Sequence, residues 1–396
     1  MKVLILGIDG YIGWSLALRL ISRGHDVYGL DNFITRRRVK EVGSDSLLPL
    51  LSFSKRVERV KDTYGKGIEF TRGDASDPKV IYDVIKRYKP DAIVHLAEQR
   101  SAPYSMIDLK HALSTMHGNI QSTMSLLYAV KDIKPDAHIV KLGTMGEYGT
   151  PNIDIPEGFF EVEYHGRRDY LPFPKFAGSW YHWTKVHDSN NLMFANKLWK
   201  TKITDVMQGV VYGTRTREIT ETGAYTRFDI DEVWGTALNR FCAQAIAKMP
   251  VTPYGKGGQT RGFLSLEDSI QCLTIGIENP PENGEYRVFN QFYEHYSVLD
   301  LANKVSKIYR KLYGGDVTIE HVPNPRVEME EHYYNPEHKK LFELGYRTVR
   351  TLEDELSIIL SDINRHRRRL DRLRHVIMPK TSWRKSSGLD MLKARR

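Results

Sequence analysis

Apolar and polar positions along the first third of the chain alternate between two periods. Met1 to Leu6 (MKVLIL) is apolar after Lys2, the pattern of a short strand covered on both faces. A glycine-bearing turn from Gly7 to Gly13 follows, then a helix-like stretch to Arg23, a stop at Gly24, and a second apolar run, His25 to Leu30, ending on Asp31. A third strand is predicted at Ile68 to Thr71. Two helix–strand junctions then echo each other: Lys89-Pro90-Asp91-Ala92 precedes the run Ile93 to Leu96, and Lys134-Pro135-Asp136-Ala137 precedes His138 to Leu142. Proline ends each helix and the strand begins at once. Strand and helix alternate through about the first 200 residues, which predicts an α/β fold with a doubly wound parallel sheet. Ligands of such sheets sit beyond the C-terminal strand ends. Ala97 to Ser105, Gly143 to Gly149 and Gln208 to Gly213 fall there.

The division expected is a cofactor domain over 1–206, a smaller C-terminal substrate-binding domain mainly over 207–362, with some segments free to return to the first domain, and a basic tail over 363–396. Residues 32–67 read as an insertion between the second and third strands, helical and charged from Lys55 to Tyr64. Residues 215–233 read as a mobile polar loop over the site.

The opening turn has the spacing G-x-x-G-x-x-G, at Gly7, Gly10 and Gly13. Gly7 lets the backbone turn sharply, Gly10 lets it approach a pyrophosphate, and Gly13 lets helix and strand pack closely. The helix N-terminus adds unpaired N–H groups and a positive dipole end. Asp31, ending the second strand, can accept hydrogen bonds from an adenosine ribose, and its charge favours NAD over NADP. Arg36, Arg37 and Arg38 weaken that preference, unless they are a solvated basic turn. A strand–turn–helix–strand unit with these glycines and this acid is a Rossmann-type dinucleotide site.

Composition narrows the function classes. The chain of 396 residues is 41% hydrophobic and 27% charged, as a packed globular protein is, and no apolar run is long enough to span a bilayer. The first strand begins at Met1, which leaves no room for a targeting peptide, so a cytoplasmic location is expected. Cys242 and Cys272 have no metal-ligand spacing, which fits a reducing compartment and no metal. The net charge of +9 could suggest nucleic acid, but residues 365–396 alone hold 12 Lys/Arg and 2 Asp/Glu. The basicity belongs to the tail, expected as a solvated helix or arm, so nucleic-acid binding is not the favoured reading.

Tyr181-His182-Trp183-Thr184-Lys185 carries the chemistry. Positions i and i+4 share a helix face, so the Lys185 ammonium can sit near the Tyr181 phenol. A tyrosine base working near neutrality needs a shift of about three pH units, or about 4 kcal/mol. One positive charge about 4 Å away supplies a similar amount at an effective dielectric of about 20. Tyr82 and Lys86 have the same spacing without that position in the fold. Thr144, directly after the fifth strand, adds a hydroxyl to orient a substrate alcohol.

The glycine spacing and this constellation resemble the extended branch of the short-chain dehydrogenase/reductases, the NAD-dependent sugar-nucleotide epimerases and dehydratases. Sugar-nucleotide 4,6-dehydratases carry Thr-Asp-Glu after the fifth strand, acid and base for eliminating the C6 hydroxyl. Here the run is Thr144-Met145-Gly146-Glu147, without either carboxylate in place. Longer stretches carry a narrower resemblance: Gln99 to Met106 (QRSAPYSM), Lys141 to Ile155 (KLGTMGEYGTPNIDI), Lys185 to Ser189 (KVHDS), Gln208 to Gly213 (QGVVYG), Gly235 to Phe241 (GTALNRF), Tyr254 to Gly262 (YGKGGQTRG) and Pro323 to Asn335 (PNPRVEMEEHYYN). Together they are similar to the UDP-sulfoquinovose synthase family from residue 1 to about residue 385, a span longer than one domain.

That resemblance implies UDP-glucose and sulfite, or a sulfur-donor protein, as substrates and NAD as a tightly held cofactor. Tyr181 takes the 4-hydroxyl proton as hydride leaves C4; the 4-ketone acidifies C5–H; loss of the C6 hydroxyl gives a 4-keto-5,6-ene; sulfite adds at C6 and hydride returns. His182 or Glu147 would move the proton in the elimination, against a structural role for the histidine. The cofactor residues implied are Gly7, Gly10, Tyr11, Ile12, Gly13, Asp31, Asn32, Arg36, Asp74, Ala75, Tyr181 and Lys185. Asp74 meets adenine unless it merely caps the next helix. Asn119 is also assigned to the cofactor side, supporting the active-site backbone. On the substrate side, Arg100, Thr144 and Gln208 face the sugar, Arg100 also as an attractor of sulfite. Thr236, Arg240, Tyr254 and Gln259 lie towards uridine, and Arg261 and Arg326 grip the pyrophosphate. A homodimer or higher homo-oligomer through helices near 110–131 and 180–199 is common in the branch. Two rivals remain: a UDP-sugar 4-epimerase or atypical 4,6-dehydratase, and a non-catalytic Rossmann protein binding RNA through its tail.

Overall fold

Val3, Leu4, Ile5 and Leu6 are wholly buried because the strand they form, β1 (Lys2–Leu6), lies mid-sheet. The computed structural model describes residues 1–326, 332–380 and 383. Beside β1 run β2 (Asp26–Asp31), β3 (Glu69–Arg72), β4 (Ala92–His95) and β5 (His138–Leu142). A hairpin of β6 (Phe159–Tyr164) and β7 (Arg167–Pro172) stands apart. β8 (Ile203–Gln208), β9 (Val210–Tyr212), β10 (Thr260–Ser265), β11 (Tyr286–Gln291) and β12 (Glu294–Ser297) complete the strands.

The central sheet is parallel, with seven strands in the order β11-β8-β5-β4-β1-β2-β3. Val3 pairs with Val27 on one side and Ala92 on the other, so the strand order reverses at β1. At such a reversal the loops leaving β1 and β4 diverge and open a crevice. A small sheet, β12-β10-β9, sits beside it and carries the second domain's edge of the crevice.

The doubly wound parallel sheet is the fold expected. The strand limits read from the sequence shift by one residue at most of the first strands, and His138–Leu142 is unchanged. β11, within 207–362, pairs with β8 and completes the cofactor sheet. The insertion holds two helices, Ile34–Glu41 and Phe53–Tyr64, and between them Leu47 and Leu48 are buried among second-domain residues such as Phe228, Leu238 and Phe241.

Two expectations need correction. Residues 215–233 are not a mobile polar loop. They hold a helix, Arg217–Thr222, and bury Ile219, Ala224, Phe228, Ile230 and Val233. Their polar groups are paired: Arg227 forks onto Asp229, and Trp14 Nε1 donates to the Ala224 carbonyl at 2.9 Å. Nor is the basic tail a solvated arm up to Lys380. Ile363, Leu370, Leu373, Val376 and Ile377 recur at helical spacing and are buried in the second-domain core. Of the arginines between them, Arg365, Arg367, Arg368, Arg372 and Arg374 are exposed, and Arg369 donates to the Ser46 carbonyl at 2.8 Å. Residues 384–396 lie outside the described residues.

Candidate active site

Glycine geometry shapes the cofactor end. Gly7 has φ +86°, and a Cβ there would lie 2.7 Å from the Leu96 carbonyl, because the turns after β1 and β4 touch. A Cβ on Gly13 would lie 2.3 Å from the Gly7 oxygen. The helix Tyr11–Ser22 has Gly10 as its N-cap, with no side chain over its first N–H groups. Gly7, Gly10, Tyr11, Ile12 and Gly13 line a cavity of about 850 Å³ that spans both domains. The Tyr11 hydroxyl donates to the Gly213 carbonyl at 2.6 Å, so its polar end ties the two domains together.

The acidic side is arranged differently from a bare ribose acceptor. Asp31 accepts from the Asp9 N–H at 2.9 Å and the Phe33 N–H at 2.7 Å; burial, then the charge of Asp9, pushes its pKa up to about 6. Arg36 forks onto Asp9 at 2.6 Å through each bond. It is neither a solvated turn residue nor a free 2′-phosphate binder. Asn32 Nδ2 donates to Asp74 at 2.7 Å, and Asp77, not Asp74, caps the following helix through the Lys79 N–H. Asp31, Asn32, Arg36, Asp74 and Ala75 group beside the glycine turn but outside the lining of the main cavity. Asn119 is buried behind the site, with its amide on the Gln99 N–H and C=O and on Thr184 Oγ1. It braces the loop after β4 and is not among the residues that line the cavity.

Thr144, Tyr181, His182 and Lys185 meet in that cavity. Thr144 follows β5. Ser179 caps the helix Trp180–Trp199, accepting from the His182 N–H, and sets the direction in which Tyr181 and Lys185 project. Lys185 Nζ donates to the Leu142 carbonyl at 2.6 Å and pairs with Glu98; it lies 5.9 Å from the Tyr181 ring centre. Burial first, and then Glu98, hold the Tyr181 pKa well above that of free tyrosine.

His182 Nδ1 is 2.9 Å from Ser179 Oγ. Burial, with Arg326 and Arg261 nearby, lowers its pKa to about 3, so the ring is neutral. A Cβ on Gly146 would lie 2.5 Å from His182 Nε2. Gly146 thus leaves room for the imidazole in the place where a dehydratase loop carries a carboxylate. Glu147 must be withdrawn as an acid–base candidate. Its side chain is wholly buried and bonded to Lys175 Nζ at 2.6 Å, Ser189 Oγ at 2.9 Å and the Thr144 N–H at 3.0 Å. It shapes the Thr144 turn from behind.

Arg100, Gln208, Thr236, Arg240, Tyr254, Gln259, Arg261 and Arg326 all line the same cavity. Arg100 pairs with Asp229 and donates to the Trp234 carbonyl at 3.0 Å, which points its guanidinium along the cavity wall. Gln208 bonds Ser269 and Gln291. Thr236 caps the helix Ala237–Ile246, and Arg240 lies over the Tyr254 ring while donating to its hydroxyl at 2.7 Å. Arg261 bonds His332, and Arg326 lies over Trp383. Residues 327–331 of the motif quoted above lie outside the described residues. The sequence reading missed Glu98, Lys141 and Asp188: the first two are charges beside or inside apolar strand-end runs, and the third is an acid one turn after Lys185 on the helix Trp180–Trp199.

A Rossmann sheet with a threonine–tyrosine–lysine set facing a second domain across one cavity defines an extended short-chain dehydrogenase/reductase. The family model described as the NAD dependent epimerase/dehydratase family matches residues 3–290. UDP-sulfoquinovose synthase of Sulfolobus acidocaldarius is 54% identical over 386 residues, 97% of this chain and 98% of that protein. The chloroplastic enzyme of Spinacia oleracea is 48% identical, over 97% of this chain and 79% of that one. Among solved structures, UDP-glucuronic acid 4-epimerase from Bacillus cereus, in complex with UDP-glucuronic acid and NAD, superposes with a TM-score of 0.68 at 22% identity, over 92% of this chain and 99% of that one. The chain belongs to the NAD-dependent epimerase/dehydratase family and, within it, to the UDP-sulfoquinovose synthases.

Proposed function

We propose that the chain joins sulfite to UDP-glucose, with NAD held in the glycine turn, and that Thr144, Tyr181, Lys185 and His182 carry the proton chemistry. What supports this most is the meeting of those four side chains with Arg261 and Arg326 in one cavity, beside full-length similarity to enzymes of that name. The glycine cradle fits a dinucleotide: its open helix N-terminus can receive a pyrophosphate, and a Cβ at Gly7 or Gly13 would fill the space. NAD, when bound, accepts a hydride from sugar C4 and later returns it, and its positive ring favours the tyrosinate.

Thr144 Oγ orients the 4-hydroxyl, and Tyr181 Oη takes its proton. Neutral His182 then takes the C5 proton, made acidic by the 4-ketone, and hands it to the C6 hydroxyl, which leaves as water. Sulfite adds at the exposed C6 of the enone. Arg261 and Arg326 hold the diphosphate, and Arg240 with Tyr254 contacts uridine. The decisive measurement is mass analysis of the sugar nucleotide after incubation with UDP-glucose, with and without sulfite. A sulfonated UDP-hexose that forms only with sulfite is expected. An unchanged mass with altered stereochemistry, or loss of one water in both tubes, would sink the sulfite reading in favour of an epimerase or a dehydratase.

His182 is tested through its neighbour. Gly146→Ala pushes a methyl group onto Nε2, and is expected to lower turnover about a hundredfold with NAD binding unchanged. A variant of wild-type activity would remove His182 from the elimination.

A homodimer is also part of this reading. Helices Leu109–Ile133 and Trp180–Trp199 pack on each other and expose Leu109, Leu113, Tyr128, Phe194 and Leu198, with Leu109 73% and Phe194 65% accessible. A reducing compartment, as in the cytoplasm, suits Cys242 and Cys272, which are buried and unpaired. No helix among the described residues is long and apolar enough to cross a membrane.

A further inference from the structure

Beneath Tyr181 and Lys185 lies a group of charges that the reaction scheme does not use. Glu98 follows β4, Lys141 lies on β5, and Asp188 sits one turn beyond Lys185 on the helix Trp180–Trp199. Lys141 Nζ is 2.5 Å from Glu98 Oε1 and 3.0 Å from Asp188 Oδ2. Lys185 Nζ pairs with Glu98 Oε2. The Glu98 and Asp188 carboxyls therefore lie against the same ammonium, Lys141 Nζ. The side chains of Glu98, Lys141 and Asp188 are at most 2% exposed.

Of the surrounding charges, Asp205 also faces Lys141, its register partner on the neighbouring strand. His95 Nε2 is 3.4 Å from Glu98 Oε1, and burial keeps that ring neutral. Asp205 on β8 is engaged by Ser189 and Tyr286. Glu147 is paired with Lys175, and Arg100 with Asp229.

Two carboxyls held against one ammonium in a dry site, with the Asp205 carboxyl also close to it, keep one proton between them, because adjacent anions repel. Contact geometry decides which one is the anion. Glu98 touches both ammonium groups, whereas Asp188 touches only Lys141. Burial accordingly raises the Asp188 pKa, and Lys141 and Lys185 offset the burial of Glu98 to lower its own.

We propose that Glu98 is a positioning residue for the catalytic pair: its carboxylate holds Lys185 against the Leu142 carbonyl, while Asp188, sharing one proton with it, leaves the two carboxyls a single negative charge between them beside the buried lysines. This rests on Tyr181 acting as the base. It makes Glu98 the carboxylate that opposes ionisation of Tyr181, so the enzyme's acid limb carries its imprint.

The test compares Glu98→Gln and Asp188→Asn in the full-length protein. In Glu98→Gln the charge moves to Asp188, on the Lys141 side, and the acid limb of kcat/KM moves to lower pH by about one unit or more. In Asp188→Asn the carboxylate stays on Glu98, and the midpoint stays at the wild-type value whatever the change in kcat. Infrared difference spectra at mildly alkaline pH provide a readout independent of turnover and of the sugar substrate. The C=O stretch of a protonated carboxyl is expected in the wild type and lost in each single variant. An acid limb in Glu98→Gln that superimposes on wild type would overturn the proposal, as would a protonated-carboxyl band that survives Asp188→Asn. If Glu98→Gln fails to fold, Asp188→Asn decides alone: loss of the band with an unmoved midpoint supports the proposal, and a shifted midpoint refutes it.

Discussion

Replacing Tyr181 by phenylalanine is expected to lower kcat about a thousandfold, the usual scale for losing a positioned general base. The ring would keep its packing, because the residue is anchored by its backbone: the Tyr181 N–H donates to Ser105 Oγ at 3.1 Å, and the helix is capped by Ser179. Only the hydroxyl is lost. Sugar-nucleotide affinity should stay within a few-fold, since the arginines and aromatic groups proposed to grip the nucleotide lie elsewhere on the cavity wall. The assay is single-turnover formation of the 4-keto species, followed with excess enzyme. A variant that oxidised the sugar within tenfold of the wild-type rate would mean that another group takes the 4-hydroxyl proton. Lys185 does not compete for that role directly. Its ammonium is committed to Glu98 and to the Leu142 carbonyl, and a charged lysine has no lone pair to accept a proton.

The second large effect belongs to Gly13→Ala. The added methyl would lie 2.3 Å from the Gly7 oxygen and 3.0 Å from Ile8 Cα. Both are backbone atoms of the same turn, and the Gly7 carbonyl also accepts the Gly10 N–H at 3.1 Å. Relief can come only by moving the helix Tyr11–Ser22 off β1. That opens the turn and misaims the N–H groups that would meet a pyrophosphate. The expected cost is about 3 kcal/mol of stability, at the upper end for overpacking, with NAD lost during purification. Urea unfolding and the absorbance of released nucleotide check the two parts separately. A variant that retained NAD and unfolded at the wild-type midpoint would show that the turn has room the structure denies it. Gly24 makes a useful contrast. Its φ is left-handed, +87°, like that of Gly7, but a Cβ there meets nothing within 4 Å, so its substitution strains the backbone without disturbing the site.

Much of this architecture is legible one residue at a time. Val3 to Leu6, Ile93 to His95 and His138 to Val140 form runs apolar enough that only a sheet covered on both faces can hold them, and Pro90 and Pro135 mark where the preceding helices stop. Gly7, Gly10 and Gly13, and the four-residue step from Tyr181 to Lys185, specify local geometry that needs no distant partner. Local pattern misled where polar residues find one another across the fold. Residues 215–233 look solvated because of Arg227, Asp229 and Asp231, yet Arg227 and Asp229 pair and Asp231 accepts from the Val233 and Trp234 N–H groups, which lets the apolar neighbours pack inside. The arginines of 365–374 hid Leu370 and Leu373, whose helical spacing is short enough to be lost among charges.

The sequence by itself determined the class of fold, the glycine turn and the Tyr181–Lys185 step proposed to be catalytic, because each depends on neighbours within a few residues or one helical turn, or on a run of them. Tertiary structure alone decided three things. It turned Glu147 away from the cavity and into a bond with Lys175, and it placed His182 in the space left open by Gly146. It also set Glu98, Lys141 and Asp188 around Lys185. These groups come from different strands, turns and helices, far apart in sequence except for those that share the helix Trp180–Trp199. Their charges matter only because the sheet brings them into a dry interior, where an ion pair about 3 Å long is strong and an unpartnered charge is costly.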